Sequence, residues 1–109
     1  MTKKLTRKEL SEIIIPIIAQ YNILSACFFG SYAREEQCDN SDVDILLEVP
    51  DDSIANSIEF YTLWDKLETT TGLSIDLLTE TAVKTCPDKR FIDTIEQDRW
   101  CFYDIRGTH

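Results

Sequence analysis

The stretch FFGSYAREEQCDNSDVDILLEV, residues Phe28–Val49, decides the fold of this chain. It predicts an apolar strand, a turn at Gly30 and Ser31, a short polar helix, and a second strand that opens with two aspartates. These aspartates, Asp42 and Asp44, begin after a spacer of ten residues that follows the turn. The order brings a turn that can hold phosphate next to two carboxylates that can hold a metal ion.

The two aspartates are spaced so that they can share a cation. Side chains alternate across a strand, so Asp42 and Asp44 project from one face while Val43 faces the other. Two carboxylates held close together repel, which favours a proton on one of them. A hard dication such as Mg²⁺ removes this conflict, because it binds one or two carboxylates together with phosphate oxygens and water. A calcium loop is excluded, because Ile45 stands where such a loop requires glycine.

The Gly-Ser pair has the composition of a phosphate-binding turn. Glycine at position 30 lets the backbone approach a phosphate closely and adopt angles that other residues avoid. Ser31 adds a hydroxyl, and the start of a helix directs free N–H groups at an anion. The same pair can be an ordinary turn, and an Asp-x-Asp at a strand start often binds nothing. The combination of the two motifs is what indicates a nucleotide site.

A third carboxylate interrupts a later apolar strand, Leu73–Leu78, at Asp76. Charged residues are rarely buried unless they are paired or bound to metal. Asp76 therefore has two interpretations. It is either an exposed position on an edge strand or, if this strand lies beside the strand over residues 43–49, the third member of a carboxylate cluster.

The pattern G-S-x10-D-x-D, followed by I-D-L-L, resembles the nucleotidyltransferase superfamily that includes DNA polymerase beta. More narrowly, the chain resembles the small prokaryotic members, the minimal nucleotidyltransferases or MNT domains, over about residues 10 to 103. The resemblance implies an α/β fold in which a small mixed β-sheet packs against helices. It also implies a single minimal nucleotidyltransferase domain over residues 1–109.

The resemblance assigns a role to each residue of the motif. In the family the Gly-Ser turn contacts the nucleotide phosphates, which assigns Gly30 and Ser31 to nucleotide binding. The strand aspartates hold two divalent metal ions, so Asp42 and Asp44 are expected to bind two Mg²⁺ ions. Asp76 matches the third carboxylate, which binds metal and activates the attacking hydroxyl. All three aspartates are therefore expected to be catalytic, with ATP as the nucleotide donor.

One position departs from the family pattern. The family often reads Gly-Ser-x-Ala-Arg-Gly-Glu, whereas here Arg34 is followed by Glu35 and Glu36. Glu35 is expected to change how the short helix ends and adds negative charge near the phosphates. Arg34 is a candidate contact to a phosphate or to the acceptor, and the alternative is a solvated helix arginine.

The resemblance also implies a partner. Stand-alone MNT proteins are typically antitoxins of HEPN-domain toxins, which are helical RNA-cutting proteins, and in characterised pairs AMP passes from ATP to a toxin tyrosine. Three functions remain open: adenylylation of a HEPN toxin, a catalytically weak antitoxin that neutralises by binding, and nucleotidyl transfer to a small molecule. A chain of 109 residues forms one domain, which argues against the third function because there is no separate acceptor domain. A homo- or hetero-oligomer is compatible with each.

The charge of the chain excludes nucleic acid as a direct partner. Twenty acidic residues stand against 11 basic ones, which gives a net charge of −9. DNA or RNA would be repelled, because affinity for these polyanions comes mainly from Lys and Arg. An acidic surface instead suits a basic protein partner.

Cysteine usage and hydropathy predict a cytoplasmic protein. The chain has no C-x-x-C pair and a single histidine, which argues against a zinc site. There is no signal segment, and no apolar run approaches the roughly 20 residues of a membrane span. The thiols are therefore expected to be reduced, with Cys27 buried in its strand.

Periodicity predicts the remaining elements. Thr6 and Glu9 form a capping-box pattern at the start of a helix, which Pro16 is expected to kink or split. A second helix is predicted over about 54–70, a short one over 81–85 and a fourth from 87 to about 97. Residues 100–103 are predicted to be a final strand or a docked extension. One apolar stripe of the second helix is expected to face the core: Ile54, Ile58, Tyr61, Trp64 and Leu67.

Overall fold

The structure of this protein is a computed structural model that describes residues 5–35, 42–50 and 58–106. Within these residues four helices and four strands form an α/β domain, as the sequence predicts. The helices are α1 (Arg7–Ile18), α2 (Ile58–Thr71), α3 (Glu80–Lys84) and α4 (Lys89–Asp98). The strands are β1 (Ser25–Phe29), β2 (Val43–Glu48), β3 (Ile75–Thr79) and β4 (Trp100–Asp104).

The four strands form one mixed sheet in the order β3-β2-β1-β4. β1 is antiparallel to both β2 and β4, whereas β2 and β3 are parallel. A parallel pair needs a crossover connection, and α2 lies in the segment between β2 and β3. The predicted mixed sheet is confirmed, and residues 100–103 belong to a strand.

Each face of the sheet packs against its own pair of helices. On one face Val43, Ile45 and Leu47 of β2 are fully buried in the main core, which includes apolar residues of α1 and α2. On the opposite face Leu46 packs with Val83 of α3 and residues of α4 in a smaller cluster. The alternation along β2 therefore directs Asp44 and Leu46 to the face that carries α3 and α4.

The first helix begins as predicted and continues past its proline. The Thr6 hydroxyl accepts the Glu9 N–H at 3.1 Å, and the Glu9 carboxylate accepts the Thr6 N–H at 3.0 Å. Of the two predicted effects of Pro16, the split was wrong, because α1 runs unbroken to Ile18. The kink stays a prediction. Ile14 and Ile18 are fully buried on either side of the proline, and their packing holds the last turn in place.

The predicted core face of α2 was partly wrong. Ile58 and Tyr61 are 84% and 66% exposed, whereas Phe60, Leu63 and Leu67 are buried against the main core. Two apolar stripes wind along this helix, and packing against α1 and β3 selects the stripe that contains Phe60. The predicted start of the helix at position 54 lies in residues 51–57, outside the described part of the chain.

The cysteine prediction also needs correction. Cys27 of β1 and Cys101 of β4 form a disulfide across 74 residues of sequence, so Cys27 is not a free thiol. The pairing follows from the sheet, because the two residues face each other in the β1–β4 register. Cys86 is a free thiol, and Cys38 lies outside the described residues.

In the described ranges none of the helices is long and apolar enough to cross a membrane.

Candidate active site

The sheet brings the turn and two of the predicted carboxylates into one row. Gly30 directly follows Phe29, the last residue of β1. Phe29 pairs with Asp44 of β2, and Asp44 in turn pairs with Asp76 of β3. The prediction that the strand of Asp76 lies beside the strand of Asp44 is confirmed. Asp42 lies immediately before β2 and is exposed.

Gly30 and the carboxylate of Asp44 are in direct contact. Gly30 has a φ of +72°, a backbone conformation that residues with a Cβ rarely adopt. A Cβ built at this position would overlap Oδ2 of Asp44. Glycine is therefore required here for two reasons, namely the backbone conformation and the space that the carboxylate occupies.

The pKa of Asp44 is shifted by burial and by three charged neighbours. Burial, as the largest cause, and the negative charges of Asp76 and Asp42 together raise its pKa from 3.8 to about 6, against the opposing effect of Arg34. Three carboxylates and one guanidinium thus act on the same region. The ionised form of Asp44 is disfavoured in the protein alone, so a cation at this position would be stabilising.

The donor chemistry of these residues fits a hard dication. Carboxylate oxygens are the ligands that Mg²⁺ prefers, and a cation would offset the repulsion that raises the pKa of Asp44. Among residues 5–35, 42–50 and 58–106, no three His, Cys, Asp or Glu side chains converge closely enough to form a metal site. The assignment of Asp42, Asp44 and Asp76 as ligands of two ions therefore stays a prediction.

The segment after Gly30 forms a helical turn. The Arg34 N–H donates to the Gly30 carbonyl at 3.2 Å, and the Glu35 N–H donates to the Tyr32 carbonyl at 3.2 Å. Tyr32 is buried and Ser31 is half-buried. A phosphate contact from Ser31 stays a prediction. The rest of the predicted short helix falls in residues 36–41, outside the described part of the chain.

Two residues that sequence reasoning missed hold this turn in place. The guanidinium of Arg7 in α1 donates to the Ala33 carbonyl and lies 4.6 Å from the centre of the Trp100 ring. The carboxylate of Asp98 in α4 lies 2.7 Å from the guanidinium of Arg34. Neither residue belongs to the Gly-Ser or Asp-x-Asp motif, and both are far from the turn in sequence.

Glu35, the residue that departs from the family pattern, has an unusual backbone conformation. Among the described residues Glu35 is the one non-glycine residue with positive φ, at 58°. This left-handed conformation is disfavoured for residues with a Cβ. The side chain gains an ion pair with Arg7, in which Nε lies 3.5 Å from Oε1. The glycine that resembling proteins often carry here would relieve the backbone but lose the ion pair.

We expect Glu35→Gly to stabilise the fold by about 1 kcal/mol relative to Glu35→Ala. Both variants lose the ion pair to Arg7, but only glycine adopts a φ of 58° without strain. Urea unfolding of the two variants measures the difference. Equal stability of the glycine and alanine variants would contradict the assignment of strain to this residue.

The fold of this chain is that of a nucleotidyltransferase. Residues 12–104 match the family described as polymerase beta, nucleotidyltransferase. The chain belongs to this family and is an enzyme of the nucleotidyltransferase class.

Two relatives place the chain more narrowly within the family. A protein described as a candidate protein adenylyltransferase of Methanocaldococcus jannaschii is 35% identical over 74 residues, which cover 68% of this chain and 74% of the relative. The protein adenylyltransferase MntA of Thermococcus cleftensis is 33% identical over 79 residues, which cover 72% of this chain and 71% of the relative.

Solved structures share the fold at lower identity. A protein described as a candidate minimal nucleotidyltransferase has a TM-score of 0.68 at 19% identity, with 91% of this chain and 98% of that chain covered. A chain in a toxin–antitoxin complex with AMP-PNP has a TM-score of 0.66 at 21% identity, covering 88% and 74%. A chain in the complex of tri-AMPylated Shewanella oneidensis HEPN toxin with MNT antitoxin has a TM-score of 0.62 at 17% identity, covering 93% and 75%.

Proposed function

We propose that this protein transfers AMP from ATP to a tyrosine hydroxyl of a HEPN-type toxin and thereby acts as its antitoxin in the cytoplasm. The observation that carries the proposal is the contact between Gly30 and the carboxylate of Asp44, in register with Asp76. This arrangement sets a glycine turn against a carboxylate whose pKa is raised to about 6. A nucleotide transfer site needs both a place for phosphate and a place for cations.

Each candidate site residue has a proposed role in the reaction. Gly30 and Ser31 bind the phosphates through the turn, and the guanidinium of Arg34 contacts the same negatively charged phosphates. Asp42, Asp44 and Asp76 would hold Mg²⁺. The chemistry that two bound ions supply is neutralisation of charge on the attacked α-phosphate and on the departing pyrophosphate.

The acceptor is proposed to approach from the edge of the sheet. Asp76 is exposed, and β3 is an edge strand of the four-stranded sheet. A hydroxyl on another protein can therefore reach the Asp76 carboxylate, which accepts the proton as the oxygen attacks. A tyrosine extends its hydroxyl on a rigid side chain, which suits an open site of this kind.

The choice of partner is supported by the relatives and by charge. Relatives of this chain are described as protein adenylyltransferases, and one structural neighbour is a chain in a complex of an AMPylated HEPN toxin with MNT antitoxin. The neighbour with AMP-PNP supports ATP as the donor. A net charge of −9 suits a basic, RNA-cutting partner better than nucleic acid itself.

Intact mass spectrometry of a HEPN protein encoded beside this chain tests the proposal. After incubation with this protein, ATP and Mg²⁺, we expect the partner to gain one or more AMP units. The gain should disappear when Mg²⁺ is omitted and in the double variant Asp42→Asn/Asp44→Asn. The variant Asp93→Asn, which changes an exposed aspartate on α4, serves as the matched control and should keep full activity.

The same experiment separates transfer from neutralisation by binding alone. If the partner forms a stable complex with this protein but gains no mass, the antitoxin acts by occlusion and the transfer proposal is wrong. If the double aspartate variant still neutralises the toxin in cells although wild type transfers AMP, binding is sufficient for neutralisation.

A further inference from the structure

Asp98, the last residue of α4, forms an ion pair with Arg34 in the turn that follows Gly30. Oδ2 of Asp98 accepts a hydrogen bond from Nη1 of Arg34 at 2.7 Å, across 64 residues of sequence. The Arg34 side chain is 40% exposed and the Asp98 side chain 21% exposed. The pair therefore lies at the surface beside the turn, with the carboxylate the more enclosed partner.

The end of α4 that carries Asp98 is anchored by the neighbouring residues Ile95 and Arg99. Ile95, one turn earlier, is buried in the smaller apolar cluster beneath the helix. Arg99, the next residue, forms an ion pair with Glu80 at the start of α3. Both contacts fix the end of α4 against the face of the sheet that carries Asp44. These contacts place Asp98 beside the turn, where its carboxylate pairs with Arg34.

The backbone of Arg34 is fixed from the other side. Its N–H donates to the carbonyl of Gly30, the residue that contacts the Asp44 carboxylate. An arginine side chain has many rotamers, and ordering it during binding costs free energy. The hydrogen bond to Gly30 and the ion pair with Asp98 both restrict this freedom before a ligand arrives.

We propose that Asp98 is a positioning residue that orients the guanidinium of Arg34 toward the phosphates of the bound nucleotide. This inference rests on the proposed function, because it concerns the same nucleotide site. Asp98 also carries a negative charge that would repel a triphosphate if Arg34 did not neutralise it. The pair therefore offers the phosphates a cation that is already oriented.

Nucleotide binding and steady-state kinetics test the positioning role. In Asp98→Asn we expect the KM for ATP to rise about tenfold while kcat changes less than threefold, since a charge-assisted contact is weakened. The Kd for AMP-PNP with Mg²⁺, measured by calorimetry, should rise by a similar factor. Asp98→Glu should restore most of the affinity, and Asp93→Asn on the exposed face of the same helix should change nothing.

A double-mutant cycle gives the decisive comparison. In an Arg34→Ala background, Asp98→Asn should no longer weaken binding, because its target is absent. The Kd for AMP-PNP should stay the same or fall, because the substitution removes an uncompensated negative charge. An equal loss in both backgrounds would overturn the inference and indicate a purely structural role for Asp98. Wild-type affinity in Asp98→Asn would also overturn it and leave the proposed function intact. If wild type neither binds AMP-PNP nor transfers AMP, the proposed function and the inference fail together.

Discussion

Replacing Asp44 with Asn is expected to abolish nucleotidyl transfer and, at the same time, to stabilise the metal-free protein near neutral pH. The loss of activity follows from the position of Asp44 between Gly30 and Asp76. An amide is a poorer ligand than a carboxylate for a hard dication, so transfer should fall by at least about a hundredfold. The gain in stability follows from the electrostatics of the folded protein without metal.

The sign of this stability effect is set by the raised pKa of Asp44. Its value is about 6 in the folded protein, against an ordinary value of 3.8, so the folded state binds the proton more tightly than the unfolded state. Ionisation of Asp44 therefore destabilises the fold. Its contribution worsens as pH rises from about 4 to about 6 and is constant above that range. Allowing for solvent screening at this half-buried site, the cost is about 1–2 kcal/mol.

Unfolding of the metal-free protein in EDTA checks this prediction. At about pH 8, Asp44→Asn should be more stable than wild type by about 1–2 kcal/mol, and the difference should shrink as the pH falls and approach zero below about pH 4. Asp65→Asn changes an exposed carboxylate on α2 and should show no such pH-dependent gain. A variant that is less stable than wild type at pH 8 would show that the Asp44 carboxylate is stabilised in the fold.

The motif predicted which of its residues lie together because its parts are close in sequence and in space. Gly30 and Asp44 are the neighbours that the strand–turn–helix–strand pattern implies, and Asp76 follows once β3 pairs in parallel with β2. Strand alternation then decides which face carries the carboxylates. Local patterning and one pairing rule were therefore sufficient for this part of the molecule.

The features that sequence reasoning missed depend on tertiary contacts. Arg7 and Asp98 reach the turn from α1 and α4, and no local pattern encodes these distances. Cys27 and Cys101 meet only because β4 pairs with β1. In α2 two apolar stripes were available, and burial against neighbouring elements, which periodicity does not describe, decided between them.

Gly30→Ala is the second substitution for which we expect a large effect. The new methyl group would overlap Oδ2 of Asp44, and the residue would have to keep a φ of +72° or distort the turn. Strain and overlap together should cost about 2–4 kcal/mol of folding free energy. Displacement of the Asp44 carboxylate should also reduce transfer by at least about a hundredfold, because the catalytic geometry tolerates little movement.

Gly72→Ala provides a matched control within the same chain. Gly72 has a φ of +71°, almost the same as Gly30, but a Cβ there would meet nothing within 4 Å. Its substitution should cost only the backbone strain, about 1 kcal/mol, and should leave transfer unchanged. The difference between the two alanine variants in urea unfolding therefore measures the overlap with Asp44 alone.

A third comparison shows whether Asp44 is the group that excludes a side chain at Gly30. In an Asp44→Ala background the carboxylate is gone, so Gly30→Ala should cost no more than Gly72→Ala does. The coupling between the two sites should then be about 1–3 kcal/mol, in the range expected for residues in contact. If Gly30→Ala costs the same with and without the carboxylate, its effect comes from the backbone alone. The contact on which the proposed site depends would then be absent.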